Sequence, residues 1–305
     1  MLDSIPLFPR MADLDIQHKP VLDALLHDLQ PQTSELTFTN LYIWRHPYGA
    51  KLTRMADDVL AILALRADPD DSFLLPLLGP GAGAGHVRQC LEFMAAEGHN
   101  ARLWRIDRPQ IERLGLKDGE FSIESDRDNW DYVYRTRDLI DLPEDRYADK
   151  VKHIRQFTRR FTDYEYRPLT PDLVEGCIFL QDLWCDEKHC DLYTNMRAEA
   201  RAVKEVLLNF ETLGVTGGCI LVRNRVQAFS LGEMLNADTV VIHIEKASPD
   251  LHGAFQVINQ QFLAHAWSHV PYVNREQDVG EPGLRQAKES YLPVRMVEKF
   301  TVRLA

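Results

Sequence analysis

The feature that most constrains this chain is an ordered change of apolar spacing that begins near residue 197. Arg197 to Leu213 repeats apolar residues at helical spacing, with Ala200, Val203, Leu207 and Phe210 on one side, and Gly214 supplies a helix stop. Two apolar runs follow, Cys219 to Val222 and Val226 to Leu231. They are parted by Arg223-Asn224-Arg225, which predicts a hairpin. Thr239 to Lys246 is a further strand. Gly253 to Trp267 returns to helical period, with Phe255, Ile258, Phe262 and Ala266 aligned. Pro271 to Glu276 is another strand, Leu284 to Tyr291 a short helix, and Val294 to Leu304 a last alternating strand.

The first half repeats this order without repeating the residues. Val59 to Arg66 and Ser72 to Leu77 are strand-like, and a glycine-rich loop precedes a helix from His86 to Glu97. Ala101 to Ile106 is a strand, Gln110 to Leu116 a short helix, and Tyr132 to Arg135 lies in another strand. The loop-to-helix junctions at Gly85 and Gly253 lie about 170 residues apart, as do the strands at Ala101 and Pro271. Hairpin, strand, helix, strand, helix, strand resembles the order of the GNAT acyltransferase fold. The expectation is therefore an α/β protein with a mixed sheet, in tandem duplication: residues 1–163, ending in a basic linking helix at 150–161, and residues 164–305.

Bulk properties narrow the function. With 45% hydrophobic and 27% charged residues the chain is an ordinary globular one. No apolar run approaches the roughly 18 to 20 residues that span a bilayer, and the start lacks a leader, so a cytoplasmic location is expected. A net charge of −11 weighs against broad nucleic-acid binding and fits poorly with an anionic lipid surface. It leaves room for a local basic patch. Helical spacing puts Lys152, Arg155 and Arg159 on one face, with Val151, Ile154, Phe157 and Phe161 as a separate apolar stripe. That face is either a solvated cationic surface on a docked helix or a binding surface for phosphate, whether on lipid, tRNA or coenzyme. The five cysteines are an odd number and make no disulfide framework. Cys185, His189 and Cys190 do not have zinc-finger spacing, so no metal site is assigned.

Two polar concentrations could carry chemistry. Strand alternation sends Val240, Ile242 and Ile244 to the core, and sends His243 and Glu245 together to the other face. A histidine beside a carboxylate suits proton transfer near neutral pH. The second cluster is Asn274, Arg275, Glu276 and Asp278, followed by Arg285 and Lys288 on the next helix. It lies at the carboxyl end of a strand, where open α/β sheets place ligands. In this scheme Glu245 or Glu276 deprotonates an acceptor amine. Arg275, Arg285 and Lys288 hold donor phosphate or carboxylate and offset charge in a tetrahedral intermediate. The loop Gly79-Pro-Gly81-Ala-Gly83-Ala-Gly85 fits no nucleotide-binding pattern and is expected to be a plain connection.

Five stretches together resemble the phosphatidylglycerol lysyltransferase C-terminal domain-like family. They are Phe38-Thr-Asn-Leu-Tyr-Ile-Trp-Arg45, Ile154-Arg-Gln-Phe157, Ile242-His-Ile-Glu-Lys-Ala247, Tyr272-Val-Asn-Arg-Glu-Gln-Asp-Val-Gly280, and Gly283-Leu-Arg-Gln-Ala-Lys-Glu-Ser-Tyr291-Leu-Pro293. The resemblance implies a tandem GNAT fold akin to the Fem-type enzymes. It also implies aminoacyl transfer from a charged tRNA to an amine or hydroxyl acceptor on a small molecule or peptide, and it adds Tyr291 to the substrate-binding candidates. A coenzyme A loop of the form Q/R-x-x-G-x-G/A is not formed, because Asp250 and Phe255 stand at its first and last positions. That favours aminoacyl-tRNA over acyl-CoA as donor. Two alternatives stay open: a non-catalytic ligand-binding protein with a degenerate GNAT fold, and an acetyl-CoA-dependent N-acetyltransferase.

Overall fold

A computed structural model describes residues 2–305. The first half contains β1 (Ala12–Asp13), α1 (Lys19–Leu29), α2 (Phe38–Ile43), α3 (Arg45–Tyr48), β2 (Ala50–Arg54), β3 (Leu60–Ala64), β4 (Phe73–Leu74), α4 (Ala84–Ala96), β5 (Leu103–Asp107), α5 (Arg108–Arg113), β6 (Phe121–Ser125), β7 (Asp131–Arg135), α6 (Thr136–Asp141) and α7 (Glu144–Arg160). The second contains β8 (Glu165–Pro168), α8 (Pro171–Lys188), α9 (Thr194–Leu213), β9 (Thr216–Val222), β10 (Arg225–Met234), β11 (Thr239–Ala247), α10 (Ala254–Ala266), β12 (Tyr272–Asn274), α11 (Pro282–Glu289), β13 (Arg295–Val297) and β14 (Lys299–Leu304).

Local chemistry accounts for many of the boundaries. The Thr37 hydroxyl caps α2 by accepting from the Asn40 N–H at 3.1 Å, and Asp107 caps α5 through the Gln110 N–H at 3.0 Å. Helix α9 buries Ala202, Val203, Val206 and Leu207, and it stops at Gly214, whose φ of 77° is the left-handed conformation glycine adopts freely. Helix α10 buries Ala254, Val257, Ile258, Phe262 and Leu263, a stripe at helical spacing.

The strands form two seven-stranded mixed sheets, in the orders β1-β2-β3-β4-β5-β14-β6 and β8-β9-β10-β11-β12-β7-β13. The two orders correspond place for place. The parallel pairs β4–β5 and β11–β12 hold the same position in each. The repeat is visible in topology rather than in residues.

Two expectations about organisation need correction. Strand β7, from the first half of the sequence, pairs with β12, and β14, from the end, pairs with β5 and β6. Each sheet thus takes its sixth strand from the other half. The stretch expected as one last strand is divided at Glu298 into β13 and β14, which belong to different sheets. The compact units are consequently discontinuous. The first takes residues up to Asp131 with Gln277–Pro282 and Met296–Ala305, and the second takes Tyr132–Glu276 with Gly283–Arg295. A division at 163/164 does not describe them. Helix α7 is part of the second unit and packs on α10 rather than linking two domains. Hydrogen bonding decides this, because a strand joins the sheet that offers it a free edge, whatever its place in the chain.

In the first unit α4 supplies Val87, Cys90, Leu91 and Met94 to a core shared with Leu103, Ile106, Phe300 and Val302 of the sheet. No helix among the described residues is long and apolar enough to cross a membrane.

Candidate functional site

The site in the second unit originates in an incomplete parallel ladder. Strands β11 and β12 pair through Thr239–Tyr272, Val240–Val273 and Val241–Asn274. Strand β12 then ends, while β11 continues to Ala247 along β10. Beyond Asn274 the two chains part, and polar side chains take over from the backbone ladder in the opening.

A bulge shapes this opening. Leu231 pairs with Ile244 and Gly232 with Ile242, which leaves His243 as the extra residue on β11. Its imidazole is 1% exposed and lies between two carboxylates. Nδ1 is 2.9 Å from a Glu276 oxygen and Nε2 2.9 Å from a Glu233 oxygen. Burial disfavours the imidazolium, but hydrogen bonds and charge from Glu233 and Glu276 outweigh it and raise the pKa to about 9. At neutral pH both ring nitrogens therefore donate, and His243 is a fixed cation. It has no lone pair to offer as a base.

Glu245 has different partners from those its spacing suggested. Rather than forming a dyad with His243, it accepts from Arg275 Nη2 at 2.8 Å and from Asn259 Nδ2 at 3.1 Å. The bulge is the reason, since one extra residue breaks the strict alternation that aligned His243 with Glu245. Arg275 is held further by aromatic rings, with Tyr291 4.8 Å and Tyr134 5.8 Å from its guanidinium carbon. Its Nη1 is buried and has no hydrogen-bond partner in the protein.

Asn274 is fully buried, and its side-chain oxygen accepts from the Glu276 N–H at 2.8 Å, which holds Glu276 in a left-handed conformation (φ 57°). Arg285 and Lys288 lie half-buried on α11, three residues apart as expected, and the Lys288 ammonium donates to the Arg275 carbonyl. Tyr134 donates through its hydroxyl to the Lys288 carbonyl at 2.9 Å. Tyr291 is buried, and Lys150 of α7 lies 4.5 Å from its ring.

Asp278 does not belong to this group. The strand ends before it, and it sits in the first unit, pairing with Arg127 at 3.1 Å and accepting from the Gly280 N–H. The basic face of α7 is present in part. Lys152 and Arg159 are exposed, whereas Arg155 is engaged by Glu144 at 2.8 and 3.3 Å. Glu233, Asn259 and Tyr134 were missed. Each is a polar group within an apolar element, the signal that singled out His243, but their pairing depends on contacts far apart in sequence.

The start of α10 packs against α7 on the Gly253 side. A Cβ on Gly253 would lie 2.5 Å from the His153 carbonyl oxygen of α7, and the His153 and His252 rings meet at 4.5 Å.

The architecture is shared with solved structures. A conserved protein of unknown function from Bacteroides thetaiotaomicron is 31% identical, covers 97% of this chain and 99% of its own, and superposes with a TM-score of 0.87. L-PGS from Bacillus licheniformis shares the fold at 12% identity, with 93% and 91% covered and a TM-score of 0.62. No curated protein matches the sequence. The sequence matches the phosphatidylglycerol lysyltransferase C-terminal family over residues 26–303, and the chain therefore belongs to that family.

Proposed function

We propose that the second unit transfers an aminoacyl group from a charged tRNA to an amine or hydroxyl acceptor at the opening between β11 and β12. The observation that carries this is Arg275 Nη1, a buried donor without a protein partner on a side chain otherwise fixed by Glu245 and two tyrosines. Such a donor suits the oxyanion of a tetrahedral intermediate, because its orientation is set before the charge develops. Glu276 is the more exposed of the two candidate bases, at 21% against 13% for Glu245, and is assigned the acceptor proton. The acceptor nitrogen or oxygen attacks the ester carbon of the aminoacyl group, and its proton passes to Glu276. The tetrahedral intermediate then breaks its bond to the tRNA oxygen, which leaves as a hydroxyl by taking that proton back from Glu276. Glu245 and His243 are positioning residues, holding Arg275 and Glu276 respectively. The departures at Asp250 and Phe255 from the coenzyme A loop pattern support aminoacyl-tRNA over acyl-CoA as donor.

The test is single-turnover transfer from charged tRNA, with Arg275→Lys as the variant. Lysine keeps a cation beside Glu245 but removes the forked donor. Transfer should fall by about 100-fold or more, with the thermal midpoint little changed. Unaltered transfer would remove Arg275 from the mechanism. Undiminished tRNA binding with no transfer by the wild-type chain, against a range of amine and hydroxyl acceptors, would favour a non-catalytic binding role.

A further inference from the structure

The first unit contains a second polar site that acyl transfer does not use. Strand β14 lies between β5 and β6 and turns Phe300 and Val302 to the α4 core, where they meet Leu103, Ile106 and Phe121. The opposite side of the same three strands displays polar groups. Val302 pairs with Leu103 in an antiparallel register, which brings Arg303 and Arg102 side by side. Thr301 pairs with Glu124, and Arg303 with Ser122. A bulge between Phe300 and Val302 gives β5 an extra residue, and Arg105 there has a φ of 59°, uncommon for a residue with a side chain. The bulge lets Leu103 and Ile106 both enter the core while Arg102 and Trp104 stay on the open side.

These residues border a cavity of about 450 Å³, within the range of roughly 300–1,000 Å³ common for small-molecule sites. The two guanidiniums are held by neutral acceptors: Arg102 Nε donates to the Ser72 carbonyl at 3.2 Å, and Arg303 Nη1 to the Asn100 side-chain oxygen at 2.7 Å. Burial and the neighbouring Arg303 charge press the Arg102 pKa down, a repulsion that a bound anion would relieve. Asp126 also lines the cavity, fixed in the wall by accepting from Trp104 Nε1 at 2.6 Å and Asn129 Nδ2 at 2.9 Å, and it keeps its negative charge. The cavity is thus bordered by two adjacent cationic forks and by the carboxylates of Glu124, Asp126 and Asp128.

A lone anion such as phosphate would satisfy the arginines but face the carboxylates. A lone cation would do the reverse. A ligand carrying both charges at short separation matches the lining, and its polar character suits a water-soluble molecule. We propose that this cavity binds a small zwitterion of the free amino acid class, with its carboxylate on Arg102 and Arg303 and its ammonium toward Glu124 and Asp128. The inference does not rest on the acyl-transfer proposal.

The experiment is calorimetric titration of the full chain with each standard L-amino acid in turn. Acetate, methylamine and inorganic phosphate serve as single-charge probes. At least one amino acid should bind, and acetate, methylamine and phosphate should each bind about tenfold more weakly or worse. Arg303→Gln and Glu124→Gln act on opposite poles, and each should weaken the amino acid by about tenfold or more with far-UV circular dichroism unchanged. Arg303→Lys, which keeps the charge and loses the fork, should fall between. The proposal is overturned if no amino acid binds at about 10 mM, if phosphate or acetate binds as tightly as the best amino acid, or if the folded variants bind like wild type.

Discussion

His243 and Glu276 meet at 2.9 Å across the opening that begins where β11 and β12 stop pairing. The contact does in side chains what the backbone ladder did up to Asn274. Its strength depends on the imidazole being charged, which gives a pH dependence with a definite sign.

The His243 pKa is about 9 in the folded chain, against an ordinary value of about 6.5 for an unfolded one. The stabilisation is therefore fully present below about pH 6.5 and is lost as pH rises toward 9, because the folded state binds more protons in that window. The difference corresponds to about 3 kcal/mol as an order of magnitude. Urea unfolding at pH 6 and pH 9.5 should show wild type losing stability over this interval, and His243→Gln losing much less. Equal pH slopes for the two proteins would show that the imidazole is not a buried cation.

Lys299 in the first unit is completely buried, with its ammonium 2.6 and 2.8 Å from Glu35 and 2.6 Å from Asp131. Lys299→Met leaves two buried carboxylates short of a partner and should cost about 3–5 kcal/mol. The denaturant midpoint at pH 7 should fall, with an unchanged slope. A loss under about 1 kcal/mol would mean that water reaches the carboxylates.

Gly253 combines a φ of 92° with the His153 carbonyl 2.5 Å from where a Cβ would stand. Gly253→Ala should therefore cost about 1–3 kcal/mol, from the strained backbone and from displacement of α7. A thermal midpoint equal to wild type would show that α7 does not pack this tightly on Gly253 in solution.

If the exposed face of α7 contacts tRNA, Lys152→Ala with Arg159→Ala should weaken binding and lower the slope of log affinity against log salt by about 1 to 2. Arg155→Ala should do less, because Glu144 already engages that guanidinium. Filter binding across a salt series reads both effects, and a slope unchanged in the double variant would place the tRNA elsewhere.

Much of this protein was legible without a structure. The helices α9 and α10, the stop at Gly214 and the β9–β10 hairpin follow from local spacing and turn chemistry, although Phe255, expected in the apolar stripe of α10, is exposed. The tandem repeat followed from element order alone. Spacing also grouped Arg275, Glu276 and Lys288, whereas Tyr291 came from the family resemblance. Tertiary structure decided what spacing does not encode. It placed β7 and β14 in the sheets of the opposite halves. Through one extra residue at His243 it separated that side chain from Glu245, joining the first to Glu233 and Glu276 and the second to Arg275. It also brought Arg102 beside Arg303, some 200 residues away in the chain. Periodicity assigns a residue to a face, but its partner is set by strand register and by which sheet edge remains open, and those depend on the whole chain.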